Sequence, residues 1–321
     1  MRILFITANR LGDAVLSTGL LDHLARRYPD AAITVAAGPV PAPLFDAAPY
    51  VTQIITMEKQ RFAGHWLSLW RKTIGTQWDM VIDLRRSALG WLLWSRERKS
   101  IPPPDNSCHR VRFIARILGL EDDPPPPVLW HGEGQEQQAA QLIPEGGPVL
   151  AVAPAANWRG KQWRAENFAA LVTRLRAPDG LLPDARVAVI AAKAEREQAH
   201  SVLEAIPDDK RIDLVGATDL GTLGACLRRT GLFIGNDSGL MHMAAAAGTP
   251  TLGLFGPSRE TLYAPWGAHT GWTRTPESFD QLTGTPNYDH RTTDTLMDGL
   301  SVEMVEDGVR QLWQRTVKDV P

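Results

Sequence analysis

The chain has 321 residues, 44% of them hydrophobic and 22% charged, which suits two globular domains and excludes a disordered or fibrous protein. Two cysteines, Cys108 and Cys226, exclude a disulfide framework or a structural zinc site, and no run approaches the roughly 18 apolar residues of a membrane span. The net charge of −2 hides twelve Lys and Arg against four acids over residues 59–116, a basic stretch that points to an anionic partner: nucleic acid, an acidic membrane surface, or a phosphorylated or carboxylated substrate.

The start, MRILFITANRLGDAV, reads as a strand and not as an export signal, so a cytoplasmic protein is expected. Strand-like and helix-like segments then alternate, which predicts parallel α/β sheets. Arg2–Ala8 is the first strand and Asp13–Arg27 an amphipathic helix. The turn between them, Thr7-Ala-Asn-Arg-Leu-Gly-Asp13, holds a single glycine and so lacks the GxGxxG dinucleotide pattern. It sets the Asp13 carboxylate at a helix start, either as a cap worth about 1 kcal/mol or as a general base for a sugar hydroxyl. Ile33–Ala37, Gln53–Thr56 and Met80–Leu84 are further strands; Phe62–Thr73 and Val111–Leu118 are helical. Trp66, Trp70, Trp91 and Trp94 read as core or domain-surface packing ahead of a carbohydrate platform. Glu121-Asp-Asp followed by four prolines ending at Pro127 reads as a linker or its approach.

A second alternating set opens with strand Val149–Ala153. The loop behind it carries Asn157, Arg159 and Lys161 ahead of Arg164, cations placed either to neutralise a diphosphate leaving group or simply to be solvated. Helix Ala165–Leu175, strand Val187–Ala191, helix Glu195–Ala205, strand Ile212–Val215 and helix Leu220–Arg228 follow. Gly231–Pro257 is the most informative stretch: a short strand, the turn Gly235-Asn-Asp-Ser-Gly239, an alanine-rich helix and strand Thr251–Phe255. Asn236, Asp237 and Ser238 are N-cap types, and a helix start among small residues is a natural phosphate site unless it is merely capped. His242 lies close to that start. Residues 265–290 read as irregular, and Val302–Gln314 as a final helix. Two doubly wound domains would set a cleft between the carboxyl ends of their sheets. No Asp-x-Asp metal motif beside a strand, zinc spacing, P-loop or GxSxG elbow is present, so a reaction without metal or cofactor is expected.

Three blocks together resemble the heptosyltransferases of lipopolysaccharide biosynthesis, inverting glycosyltransferases of the two-domain GT-B type (glycosyltransferase family 9). They are Asn9-Arg-Leu-Gly-Asp-Ala-Val-Leu-Ser17 with Arg27-Tyr-Pro-Asp-Ala31, Lys161-Gln-Trp-Arg-Ala-Glu-Asn-Phe168, and Gly235-Asn-Asp-Ser-Gly-Leu-Met-His242 with Leu254-Phe-Gly-Pro-Ser258. The family's frequent Pro-Gly-Ala is here Pro154-Ala155-Ala156.

The resemblance implies two Rossmann-like domains facing each other across a cleft. Residues 1–145 would bind the acceptor and 146–300 the nucleotide-sugar donor, with 301–321 a helix packing back on the first domain. It makes Asp13 the catalytic base and puts Lys161 at the donor phosphates. Asn157, Asn236, Asp237, Ser238, Gly239, Leu240 and His242 fall on the donor side, and Arg10, Arg85, Arg86 and Ser87 on the acceptor side. The implied donor is ADP-heptose, and the acceptor an anionic inner-core sugar on lipid A, with peripheral contact to the inner face of the membrane. A nucleotide-sugar epimerase of the same architecture and a two-lobed binding protein of the periplasmic type stay open as alternatives. A nucleic-acid partner is not expected, because no recognition module accompanies the basic residues.

Overall fold

The computed structural model describes residues 1–285, 288–289 and 292–318. The chain forms two compact units, Met1–Gly132 and a second beginning at Glu133.

The first unit contains β1 (Arg2–Ile6), α1 (Leu11–Arg27), β2 (Ala32–Ala37), β3 (Val51–Thr56), α2 (Gly64–Thr73), β4 (Trp78–Asp83), β5 (Ser95–Ser100) and α3 (Arg110–Ala115). Its strands are all parallel, in the order β3-β2-β1-β4-β5. Ile3, Leu4, Phe5 and Ile6 are fully buried, as expected where helices cover both faces of a parallel sheet and the strand becomes an unbroken apolar run. Leu69 of α2 packs with Leu4, Ile6, Val81, Leu89 and Leu93, and Trp66 and Trp70 border that cluster. Two of the four tryptophans depart from the packing expectation. Trp91 and Trp94 are 81% and 77% exposed.

The second unit contains α4 (Glu133–Leu142), β6 (Val149–Ala153), α5 (Ala165–Arg176), β7 (Arg186–Val189), α6 (Arg196–Glu204), β8 (Arg211–Asp213), α7 (Leu220–Arg228), β9 (Leu232–Asn236), α8 (Gly239–Ala246), β10 (Thr251–Phe255), α9 (Glu260–Tyr263), β11 (Thr270–Arg274), α10 (Phe279–Thr283) and α11 (Val302–Lys318). Its sheet is also wholly parallel, in the order β11-β10-β9-β6-β7-β8. Both sheets are therefore doubly wound, and each reverses its strand order once, at β1/β4 and at β6/β9.

Several expectations change. The four prolines approach the division, which follows Gly132, and pack on the first unit: the Pro125 and Pro126 carbonyls press on α1 so closely that a Cβ at Gly19 would lie 2.4 and 2.3 Å from them. The Val128 amide donates to Thr18 Oγ1 at 2.9 Å. The division falls ahead of α4, before residue 145, because α4 belongs to α7: Thr222 Oγ1 donates to Gln138 Oε1 at 3.1 Å and Arg228 pairs with Glu136 at 2.9 Å. The closing helix α11, expected to pack back on the first domain, buries Val305, Val309 and Leu312 in the core of the second unit. Residues 319–321 of that expected segment, and 286, 287, 290 and 291 of the expected irregular and adjoining stretch, lie outside the described residues. The irregular stretch itself contains a strand, β11, and a helix, α10.

Candidate active site

Each strand-order reversal carries a polar pair that bridges it. In the first unit the loop after β1 supplies Asn9 and the loop after β4 supplies Arg85, whose Nη1 donates to Asn9 Oδ1 at 2.7 Å. In the second unit the loop after β6 supplies Lys161, which meets Asp237 after β9 at 2.5 Å. At a reversal the connecting chains leave in opposite directions, and the crevice between them is where open α/β sheets bind ligands.

Asp13 lies on this edge of the first unit, half-buried in the first turn of α1. The N-cap of that helix is Arg10, which is exposed and makes no side-chain cap bond, so Asp13 is not the cap. Its place is set by the helix: Thr7 Oγ1 and Ser17 Oγ share a buried hydrogen bond of 2.7 Å, and Gly38 sits so close to Asn9 that a Cβ there would lie 2.6 Å from its Cα.

Arg85 is braced from three sides. Its backbone amide donates to Asp83 Oδ1 at 2.8 Å, its guanidinium carbon stands 4.9 Å over the Trp66 ring, and Nη1 reaches Asn9. Burial draws its pKa below the ordinary arginine value, with Asp83 acting against the shift. Ser87 differs from the acceptor contact expected of it. Its amide and hydroxyl both donate to Asp83 Oδ2, at 2.6 and 2.7 Å, and its oxygen accepts from the Leu89 amide at 3.2 Å. The hydroxyl thus closes the loop. Arg86 is exposed, at a φ of 54° that non-glycine residues rarely adopt. Beside Trp66, the neighbouring His65 of α2 lines a cavity of about 380 Å³ with Met57, Glu58, Gln60, Ser68 and Lys72.

In the second unit, the loop after β6 includes a tight turn over Arg159–Lys161. Its three cations separate. Arg159 pairs with Asp294 at 2.8 Å and Arg164 with Asp298 at 2.6 Å, the latter hydrogen bond raising the Arg164 pKa further. Lys161 alone of the three meets Asp237, which is 5% exposed. Asn157 is exposed on the same loop. Ala155 buries its methyl in the core, away from the loop surface.

Asn236 is corrected from a donor contact to a buried tie. It is fully buried, its Oδ1 accepts from the Trp163 amide at 3.0 Å, and its Nδ2 donates to the Pro154 carbonyl at 2.8 Å. Its side chain fixes the β6 loop against β9. Ser238 is the N-cap of α8 but makes no cap bond, and its Oγ is buried without a hydrogen-bond partner. The first α8 amides, from Gly239 and Leu240, have no intrahelical acceptor. His242 is 4% exposed in the following turn.

Sequence reasoning missed four residues here. Asn9 and Asp83 hold Arg85, while Ser258 and Trp158 lie in the second unit. The Ser258 hydroxyl, on a residue 7% exposed after β10, and Trp158 Nε1 are further buried polar atoms without a partner. Asn9 and Ser258 stand inside the quoted motifs, which was the available signal. Burial of a hydroxyl without a partner has no sequence signal. The partnerless Ser238 hydroxyl, at the uncapped start of α8 and next to the Asp237 that meets Lys161, forms a receptive surface for phosphate oxygens, and Ser258 follows the neighbouring strand β10.

Comparison with known proteins identifies the family. The family model for glycosyltransferase family 9 (heptosyltransferase) matches residues 74–281, well over half of the chain. The chain belongs to glycosyltransferase family 9. The lipooligosaccharide heptosyltransferase 2 of Haemophilus influenzae is 25% identical to it over 303 residues, covering 83% of this chain and 86% of that protein. The structure of E. coli ADP-heptose lps heptosyltransferase II shares the fold with a TM-score of 0.75 at 22% identity, covering 98% and 99% of the two chains. A glycosyl transferase family 9 protein from Veillonella parvula superimposes with a TM-score of 0.78 at 20% identity, covering 98% and 97%. In this family 9 enzyme, then, the two bridged reversals sit on a glycosyltransferase scaffold. No helix among the described residues is long and apolar enough to cross a membrane.

Proposed function

We propose that this family 9 glycosyltransferase moves heptose from ADP-heptose onto an anionic inner-core sugar of lipopolysaccharide, with inversion and without a metal ion. The observation that carries the reading is the second unit's switch point: Lys161 and Asp237 paired beside the uncapped start of α8, where the Ser238 hydroxyl has no partner, with the partnerless Ser258 following the next strand. The names of the family's relatives supply the sugar and the acceptor class.

In this mechanism Asp13 takes the proton of the acceptor hydroxyl as its oxygen attacks the anomeric carbon. The bond from that carbon to the diphosphate breaks, and the electron pair stays with the departing ADP. Lys161, the Gly239 and Leu240 amides and the two serine hydroxyls meet the growing charge, so the leaving group needs no metal for neutralisation. Asp237 holds Lys161 in place, with Asn157 and His242 beside the donor. Arg10, Arg85 and Arg86 meet the acceptor's carboxylate or phosphate. The acceptor is lipid-linked, so the enzyme works at the cytoplasmic face of the inner membrane.

The test is ADP release from ADP-heptose with an inner-core acceptor. Asp13→Asn is expected to lower kcat by about 10² to 10⁴ while ADP still raises Tm by the wild-type increment. Turnover should survive excess chelator. Wild-type kcat in Asp13→Asn removes that residue from the mechanism, and isomerised sugar nucleotide formed from donor alone marks an epimerase instead.

A further inference from the structure

Trp91, Leu92 and Trp94 are 81%, 61% and 77% exposed, in a chain that buries other large side chains such as Trp78 and Trp163 to 4% and 1%. They are displayed by a braced turn. Leu89 and Leu93 are buried at 4% and 1%, Arg98 Nε and Nη2 donate to the Gly90 and Leu93 carbonyls at 2.7 and 2.8 Å, and Trp70 Nε1 donates to the Leu92 carbonyl at 3.3 Å. Through Trp70 the turn adjoins α2, whose outer side shows Leu67, Arg71 and Ile74 at helical spacing.

The stretch of chain that carries these apolar groups is net positive. Residues 67–99 contain seven Lys and Arg against three acids, Asp79, Asp83 and Glu97. All three acids are engaged: Asp79 with Arg96 at 3.3 Å, Glu97 with Lys99 at 2.9 Å, and Asp83 inside the β4 loop. Exposed indoles on a turn held by Arg98, within a net-positive stretch of chain, match the boundary of a bilayer. Indole seats at the headgroup level, and the cations meet anionic headgroups. A patch of exposed apolar residues on a soluble unit marks an interaction surface in general, and the net positive charge of this stretch selects an anionic one.

We propose that the turn carrying Trp91, Leu92 and Trp94, with the adjoining face of α2 and the basic edge strand β5, docks this enzyme onto a bilayer containing anionic phospholipid. Its biological sense rests on the lipid-linked acceptor proposed above, while the binding requires neither donor nor acceptor.

The full chain is sedimented with vesicles of phosphatidylglycerol and phosphatidylethanolamine, and separately with phosphatidylcholine vesicles, all without acceptor. Binding to the first at low salt, at least roughly tenfold tighter than to the second, is expected, weakening as salt shortens the screening length. The double variant Trp91→Ser, Trp94→Ser should bind the anionic vesicles at least roughly tenfold more weakly and still transfer sugar to a lipid-free acceptor at the wild-type rate. Quenching of wild-type tryptophan emission by brominated acyl chains is a second readout that needs no variant. Equal binding by the variant, no wild-type binding to anionic vesicles, or a Trp91-dependent dimer without vesicle binding each overturns the proposal. Because these vesicles carry no acceptor, a failure of the transferase reading leaves the binding result untouched.

Discussion

A buried hydroxyl with no partner costs stability in the empty protein and contributes affinity when a ligand supplies the acceptor. Ser238 and Ser258 are in that position. Ser258→Ala and Ser238→Ala should therefore leave the melting temperature unchanged or slightly higher, since the removed oxygen had nothing to lose. The affinity for ADP should fall by about tenfold per serine, the value of one hydrogen bond to a charged group, as read by calorimetry. Lower stability with unaltered ADP affinity would show instead that these hydroxyls serve the fold. Lys161 behaves differently. Removing it strands the nearly buried Asp237 carboxylate, so loss of stability accompanies any loss of turnover there.

Two helices of the second unit show how element ends divide between structure and site. Asp219 caps α7, its carboxylate accepting from the Thr222 amide at 2.8 Å and from Thr222 Oγ1 at 3.0 Å. Burial pushes the Asp219 pKa up, but these hydrogen bonds outweigh it and the net shift is downward. A carboxyl with a lowered folded pKa adds stability above its unfolded value and loses it as pH falls through the folded one. Asp219→Ala should thus cost about 1 kcal/mol at neutral pH, and its deficit in urea midpoint should close as pH drops below about 4. A constant deficit across that range would mean that the carboxylate charge is not what caps α7. Helix α8, by contrast, has the cap residue Ser238 without the cap bond.

Elements were legible in proportion to their apolar content. Strands β6 and β10 match their expected bounds because both are wholly buried apolar runs. The edge strand β5, Ser-Arg-Glu-Arg-Lys-Ser, went unread, since its pairing to β4 rests on backbone hydrogen bonds alone and its side chains face solvent. Such charge on an edge also blocks unwanted strand addition. β11, a polar edge of the second sheet, was missed for the same reason.

At the scale of the molecule, each unit has its own parallel sheet, its own core and one strand-order reversal. The second unit includes α4 at its start and α11 at its end, and its core draws on α5, α6 and α11. Residues 133–321 expressed alone should unfold in one cooperative transition, and ADP should raise its Tm, because Lys161, Asp237, Ser238 and Ser258 all belong to this unit. A fragment that folds but ignores ADP would require donor contacts from the first unit. The basic stretch likewise divides once folded: Arg85 reaches Asn9 in the site loop, while Arg98 of β5 holds the turn that carries the exposed indoles.

By itself the sequence determined the alternation of strand and helix, the three motif blocks and the family, because strands buried on both faces and tight polar turns are written in consecutive residues. Strand order is not. Asn9 with Arg85, and Lys161 with Asp237, each meet across 76 residues of chain, and only the folded sheets make those loops neighbours. The same holds for Asn236, turned inward to hold two backbones, and for Trp91 and Trp94, turned outward. Whether a polar or aromatic side chain is satisfied, orphaned or exposed depends on what packs against it, and that is a property of tertiary structure alone.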